Sequence, residues 1–310
     1  MRKIVFYFRD HLSYSTRKSF IIFFIVFLGA WLAVYYSSGI HSWINQPSRS
    51  VLAKFSIHFI MYAGVYYAIA FVFCYLHKNP RILSLDFFLK SLSLLILVAL
   101  GRSLAVHIWL AKQIQPAQLQ YFLSRIFWLL KFPAFLLLIF LVLRLRNTNI
   151  LQYSGLNIRY VEFKPFILAL LILIPVILTV SFLPDFIDYY PKYRTSLAVV
   201  SSGLPEFLFV IPYEISYGIN LFSIEIIYRG LFLFVMIAYL GKGSLYPMVG
   251  VYCLIHLGKP VLECISSIAG GYILGVIALY SKSILGGTFV HVGMAWFLEL
   301  FAWLQNEMRG

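Results

Sequence analysis

The chain has 310 residues, of which 62% are hydrophobic and only 12% are charged. A soluble globular domain carries about twice that charged fraction, and apolar runs of about 18 to 20 residues, long enough to cross a bilayer, recur along this chain. The net charge of +14 does not indicate a nucleic-acid partner, because the basic residues stand at the ends of apolar runs, as in cytoplasmic loops that contact lipid headgroups. The composition predicts an all-α, polytopic transmembrane helix bundle.

The first part of the chain is predicted to be a series of membrane helices that follows a basic tail. The excess of basic residues in the tail predicts a cytoplasmic N-terminus; they are Arg2, Lys3, Arg9, Arg17 and Lys18. The first apolar run is too long and too far from the terminus for a cleaved signal peptide, so we expect a retained anchor. Candidate spans lie at about 19–38, 55–76, 86–110, 121–144 and 165–186.

The second part has a different pattern. A long helical pattern covers about 205–240, and shorter candidate helices follow at about 245–257, 263–281 and 284–304. We therefore divide the chain into N-terminal membrane helices, 1–200, of unknown role, and a C-terminal core, 201–310. The whole chain is expected to contain about eight to ten membrane helices.

Acidic residues also separate the two parts. Up to residue 200 every acid stands at the end of a span or in a loop, whereas several later acids lie well within apolar runs. The later acids are Glu206, Glu214, Glu225, Glu263, Glu299 and Glu307. A carboxylate at membrane depth costs about 3 kcal/mol and is retained mainly where it pairs, binds or reacts. The sequence therefore places any chemistry after residue 200.

The stretch FSIEIIYRGLF, 222–232, puts two full charges, Glu225 and Arg229, into one apolar helix. Their i, i+4 spacing predicts that they share a helical face and neutralise each other in the membrane. A structural ion pair and a functional site are both compatible with this pattern.

His256 favours a functional site. It lies in LYPMVGVYCLIHLGKP, a helix that begins near Leu245 and is broken by Gly258 and Pro260. Such a helix rises about 22 Å, less than the roughly 30 Å of a hydrocarbon core, so we expect it to end inside the membrane with His256 in its last turn. Irregular backbone at that depth needs surrounding protein or a wet cavity, which makes His256 a candidate proton acceptor. The alternative is a hydrogen-bonded packing histidine.

Further polar groups follow His256. Glu263 comes just after the break, His291 about two turns into the last span, and Glu299 about two turns further. The alternative to a shared site is a set of separate structural pairs between buried acids and Arg102 or Lys131, two cations in apolar runs of the first part.

The long helix is predicted to carry a polar stripe. Glu214 precedes Glu225 by eleven residues, which is almost three complete turns and about 16 Å. Tyr217 and Tyr228 repeat that spacing. The stripe would run down one side of the helix towards a cavity.

Four elements of this part resemble the CAAX-protease and bacteriocin-processing (CPBP, or Abi) family of intramembrane proteases. They are EIIYRG at 225–230, YCLIH at 252–256, the glycine-rich GGYILGVIALYSKSILGG at 270–287, and His291. The resemblance covers about 205–304. HLGKPVLE at 256–263 and Glu299 resemble a subgroup with a single glutamate in the first motif. The usual first glutamate is replaced by Ile224, and Ala295 stands where the family tends to have Asn or Asp.

The resemblance implies a CPBP-like core with three catalytic residues. Glu225, assisted by His256, would deprotonate a water, and His291 would polarise the peptide carbonyl or stabilise its oxyanion. Arg229 would orient Glu225. The three catalytic residues also form a two-histidine, one-carboxylate set that could hold zinc or another divalent metal, although the sequence has no HExxH, and a site without a metal is the other expectation.

Three functions remain open. The first is an intramembrane endopeptidase that acts on a membrane-associated peptide, for example a prenylated or leader-bearing one. The second is a catalytically degenerate scaffold or immunity-type protein, which Ile224 and Ala295 favour. The third is a proton- or ion-coupled transporter, to which broken helices and buried charges are also suited, although inverted repeats are not visible. A polyprenyl-diphosphate enzyme would need paired aspartates, which the sequence lacks.

Overall fold

A computed structural model describes residues 2–14, 17–44, 46, 48–78, 80–114, 119–145, 154–158, 161, 163–194 and 203–308. These residues form helices joined by turns, with no strand among them. The predicted all-α helix bundle is therefore confirmed.

The helices of the described residues follow one another along the chain with these bounds. They are α1 (Arg2–Tyr14), α2 (Lys18–Ser37), α3 (Ile40–Ile44), α4 (Val51–His77), α5 (Leu85–Ser103), α6 (Val106–Lys112), α7 (Gln120–Leu145), α8 (Phe163–Val180), α9 (Pro184–Tyr189), α10 (Phe207–Glu225), α11 (Ile237–Leu240), α12 (Leu245–Leu254), α13 (Val261–Ser281) and α14 (Leu285–Glu307). Short 3-10 turns lie at Pro80–Leu83 and Gly241–Ser244, and a π-helical segment, Ile226–Val235, follows α10 directly.

The chain is a multi-pass membrane protein. Among the described residues, six helical stretches are long and apolar enough to span a bilayer. α5 and α6 meet at a bend of 41°, and if they form one broken span, the number of spans is seven. The single span predicted at 86–110 is thus two helices, and the described residues give fewer qualifying spans than the roughly eight to ten expected from the sequence.

The long helix predicted at 205–240 changes its winding. It is α-helical up to Glu225 and π-helical over Ile226–Val235. A π-helix bonds residue i to i+5, so side chains repeat at a wider spacing than on an α-helix. The eleven-residue repeat of the predicted stripe therefore applies from Glu214 to Glu225 but not from Tyr217 to Tyr228.

Two compact units make up the chain. One contains 1–103, 151–161 and 226–284, and the other contains 104–150, 162–225 and 285–310. The predicted division at residue 200 falls within 195–202, outside the described residues. Segments of the two units alternate along the sequence, because the units are defined by contacts between residues. The predicted division was based on the positions of the motifs.

The first unit has an aromatic core between α2, α4 and α12. The ring of Phe20 lies 5.2 Å from that of Phe73 and 4.9 Å from that of Tyr246, centroid to centroid. Gly243 belongs to the turn before α12, and a Cβ at this position would overlap the Phe73 ring. Gly250 likewise faces Ile69 of α4. Small residues in and just before α12 thus allow it to pack closely against α4.

The chain reverses direction between the π-helical segment and α12. The guanidinium carbon of Arg229 lies 3.9 Å from the ring centroid of Tyr252, and the Tyr228 ring lies 5.3 Å from the same ring. Gly241, with φ +57°, is in the turn that joins the two. The apolar stretch Phe207–Leu254 is therefore not one straight span.

In the second unit α14 packs between α8 and α10. Gly286 and Gly293 are seven residues apart on one face of α14, where added Cβ atoms would meet Phe166 and Leu170 of α8. Such spaced small residues let membrane helices approach closely. α10 lies on another side of α14, where Gly218 accommodates the Trp296 indole.

Candidate functional site

Glu225 and His291 form a buried ion-pair-type contact in the second unit. Nδ1 of His291 lies 2.7 Å from Oε1 of Glu225, a distance at which an ionised carboxylate accepts the Nδ1–H. The Glu225 side chain is fully buried and the His291 side chain is 17% exposed. A carboxylate and an imidazole predicted from separate motifs are thus in direct contact, with the imidazole at the more accessible side.

The register between α10 and α14 produces this contact. The indole N–H of Trp296 donates to the main-chain carbonyl of Glu214 across 3.2 Å. A Cβ at Gly218 would lie 3.0 Å from the Trp296 ring, so the glycine lets the two helices approach. The helices run antiparallel, since Glu225 at the end of α10 meets His291 near the start of α14.

The hydrogen bond to Glu225 determines which nitrogen of the His291 ring is free to accept a proton. When Nδ1 carries the proton that is shared with Glu225, Nε2 of the neutral ring is the basic nitrogen. A carboxylate on Nδ1 also orients the ring, as it does for histidines that bind metals. The pair can therefore accept a proton at Nε2 and later return it.

His256 lies in the first unit, in the turn that follows α12. The helix ends at Leu254, so the prediction that His256 occupies its last turn is wrong by about half a turn. Its side chain is buried, and its Nδ1–H donates to the Tyr252 carbonyl across 2.8 Å. Gly258, with φ +89°, makes the break that was predicted, and the ring of His41 occupies the space a Cβ would take there. Because Glu225 and His291 belong to the other unit, convergence of all three side chains stays a prediction.

Two of the motifs meet in the first unit. Tyr228 and Arg229 of the EIIYRG motif are buried against Tyr252, the first residue of YCLIH. Gly230 lies under the main chain of Ser154, where a Cβ would come within 2.7 Å of its carbonyl oxygen. The Arg229 guanidinium lies over the Tyr252 ring, and this cation–π interaction stabilises the charge in its buried position.

Glu263, Arg102 and Lys131 each have a partner within their own unit. Glu263 pairs with Lys259, one turn earlier, at 2.5 Å. Arg102 donates to the carbonyl of Leu257, and Lys131 donates to that of Leu104. The Glu263 contact follows the i, i+4 rule and could have been found from the spacing.

Glu299 and Glu214 both line a cavity of about 970 Å³ in the second unit. Oε2 of Glu299 accepts the main-chain N–H of Lys192 at 2.7 Å, and that of Tyr193 at 3.4 Å. Glu214 is partly buried, and no hydrogen bond to its Oε2 is found among the described residues. Sequence reasoning missed this cavity, whose aromatic wall comes from Trp296 and Trp303 of α14. Their seven-residue spacing was the available signal.

The two positions that differ from the family pattern are apolar packing sites. Ala295 is buried with Tyr217 and Leu221 of α10, and Ile224 packs against the same cluster. Among the described residues, no group of three or more His, Cys, Asp or Glu side chains could hold a metal ion.

Comparisons with profiles of known protein families, with curated proteins and with solved structures gave no match.

Proposed function

We propose that the chain is an intramembrane peptide hydrolase in which the Glu225–His291 pair activates the attacking water. The observation that carries the proposal is the 2.7 Å contact between a fully buried carboxylate and a less buried imidazole. The resemblance to CPBP proteases supports the same residues. The substrate would be a peptide embedded in or attached to the bilayer.

With Glu225 ionised, Nδ1 of His291 carries the shared proton, and this favours a division of roles that differs from the one the resemblance implies. A neutral imidazole that donates from Nδ1 offers a lone pair at Nε2, and this makes His291 the proton acceptor. Glu225 then stabilises the imidazolium and keeps the ring in position. After attack, the same Nε2–H gives its proton to the leaving amine as the peptide bond breaks. His256 keeps its Nδ1–H on the Tyr252 carbonyl, so it can donate to the oxyanion from Nε2 only as the imidazolium.

The test is peptide cleavage by the purified protein in lipid nanodiscs. The probes are internally quenched peptides with a farnesylated C-terminal cysteine, and the same peptides without the lipid. His291→Ala and Glu225→Gln should each lower kcat by at least about 100-fold, and His256→Ala should also lower it. Ser223→Ala removes a buried hydroxyl that donates to the Ile219 carbonyl within α10 and serves as the matched control. Cleavage that survives all three changes would exclude the proposal.

A catalytically degenerate scaffold is the second candidate, and one observation favours it. Ile224 and Ala295 are built into apolar packing where the family pattern has polar groups. Absence of cleavage with every probe would support this function. Ion or proton flux in liposomes that depends on Glu214 would instead support a transporter.

We also propose a cytoplasmic N-terminus. The five basic residues of the tail support this orientation, since cytoplasmic flanks of membrane helices are enriched in Lys and Arg. A cysteine introduced at Ser13, an exposed position of α1, should react with an impermeant maleimide only after the cells are opened. Labelling of intact cells would reverse the orientation.

A further inference from the structure

The cavity of the second unit concentrates negative charge in a strongly basic protein. The chain has 11 acidic residues and 25 basic ones. Five of the acids line this one cavity, together with one arginine, Arg194. The five are Asp188, Glu206, Glu214, Glu299 and Glu307. A cavity with this charge balance attracts cations and repels anions.

Four of these acids occur at two levels along the helix pair. Glu206 and Glu307 stand at the start of α10 and the end of α14, whereas Glu214 and Glu299 lie eight residues further in on each helix. Eight α-helical residues correspond to about 12 Å. A cation that enters between the helix ends would therefore meet a second pair of carboxylates deeper in the cavity.

Glu214 is the acid best suited to hold a cation. Its Oε2 is buried and accepts no hydrogen bond from any described residue. Glu299, by contrast, is fixed by the main-chain N–H groups of Lys192 and Tyr193. A buried carboxylate oxygen without a donor is costly, and an ammonium or guanidinium group of a ligand would supply the donor.

The aromatic part of the cavity lining can bind the apolar part of a ligand. Trp296 and Trp303 lie on one face of α14, and the indole of Trp296 is held in place by its bond to the Glu214 carbonyl. Indole faces attract cations as well as apolar groups. A volume of about 970 Å³ lies within the range of about 300–1,000 Å³ for ligand-binding cavities.

We propose that this cavity is a binding site for an amphipathic cation, that is, an ammonium, guanidinium or phosphonium group on an apolar body. The charged group binds at Glu214 and Glu299, and the apolar body packs on Trp296 and Trp303. The site goes beyond the proposed hydrolysis and does not depend on it, because binding is measured without cleavage. Two sources share this chemistry, a basic side chain of a hydrophobic peptide and a free lipophilic cation.

The test is calorimetric titration of the protein in nanodiscs, with empty nanodiscs subtracted. The probes are tetraphenylphosphonium, its anionic counterpart tetraphenylborate, and a hydrophobic peptide with one lysine or the same peptide with acetyl-lysine. The cationic probe of at least one pair should bind, and its uncharged or anionic counterpart should bind at least about tenfold more weakly. Glu214→Gln should weaken cation binding by about tenfold or more, and Glu206→Gln by less.

Asp86→Asn is the control variant, because it removes one negative charge from an exposed position of the other unit. It should leave binding unchanged. Binding of only the phosphonium or only the lysine peptide supports the site and identifies its source. Equal binding of the oppositely charged probes, or cation binding that neither glutamate change weakens in folded protein, overturns the proposal. So does an absence of binding by both cationic probes.

Discussion

The contact between Glu225 and His291 should be measurable as a large coupling energy. Glu225 is fully buried, and its carboxylate bonds the imidazole at 2.7 Å. Removing one partner leaves the other buried, and this costs about 3–5 kcal/mol for a fully buried pair. Hydrogen bonds to charged groups contribute about 1.5–3 kcal/mol. A cycle of Glu225→Ala, His291→Ala and the double variant should therefore give a coupling of about 2 kcal/mol.

An exposed pair in the same chain provides the matched control. Lys90 and Asp86 also lie 2.7 Å apart, but their side chains are 46% and 61% exposed. Water screens such a pair, so its coupling should be only about 0.2–1 kcal/mol. The two pairs share their distance and differ in burial, so the exposed pair should give the smaller coupling, although both of its side chains also bond the Tyr239 hydroxyl.

The assay is the free energy of unfolding in mixed micelles, titrated with dodecyl sulfate and followed by tryptophan fluorescence. Each single variant at Glu225 or His291 should unfold at lower denaturant, and the double variant should be more stable than the sum of the single losses predicts. Additivity within about 0.5 kcal/mol would mean that the two side chains do not interact, and the proposed proton acceptor would lose its partner.

Three further outcomes are expected. Gly243→Ala should lower stability by about 1–3 kcal/mol because its Cβ overlaps a buried aromatic ring, whereas Gly270→Ala, with open space at its Cβ, should be neutral or slightly stabilising. Burial lowers the pKa of His11, so acidification from about pH 6.5 should reduce the unfolding midpoint, because the unfolded chain then binds a proton that the folded chain does not, and His11→Gln should lessen the loss. Glu299→Leu should speed hydrogen exchange of the Lys192 amide, because the Glu299 carboxylate that accepts this N–H is removed.

A specific result would contradict each of these three predictions. Equal midpoints for the two alanine variants would show that the ring can move aside. An acid-induced loss that is the same in the His11 variant would assign it to other groups. An unchanged exchange rate at Lys192 would mean that the carboxylate does not hold that segment in the native protein.

Most of the fold and part of the candidate site could be predicted from local sequence patterns. Apolar run length placed the helices, because a bilayer fixes how long a span must be. Gly258 and Pro260 placed the break after α12, because their backbone preferences are local. The pairing of Lys259 with Glu263 was not predicted, although their i, i+4 spacing was visible in the sequence.

The remaining features depend on contacts that sequence spacing does not contain. The bond from Trp296 to the Glu214 carbonyl sets the register of two helices far apart in sequence, and with it the cavity. The segment after α9 folds back onto Glu299, which no motif indicates. The π-helical winding after Glu225 was also missed, because its residues have the same apolar pattern as an α-helix.

The π-helical segment also affects how relatives should be sought. Closing each turn with an i to i+5 bond accommodates extra residues without lengthening the helix in proportion. An ancestor or descendant that lost one residue between 226 and 235 could rewind that turn as α-helix and still keep the flanking packing. Alignments that forbid gaps inside helices would then place Glu225, which precedes this segment, out of register with the motifs that follow it.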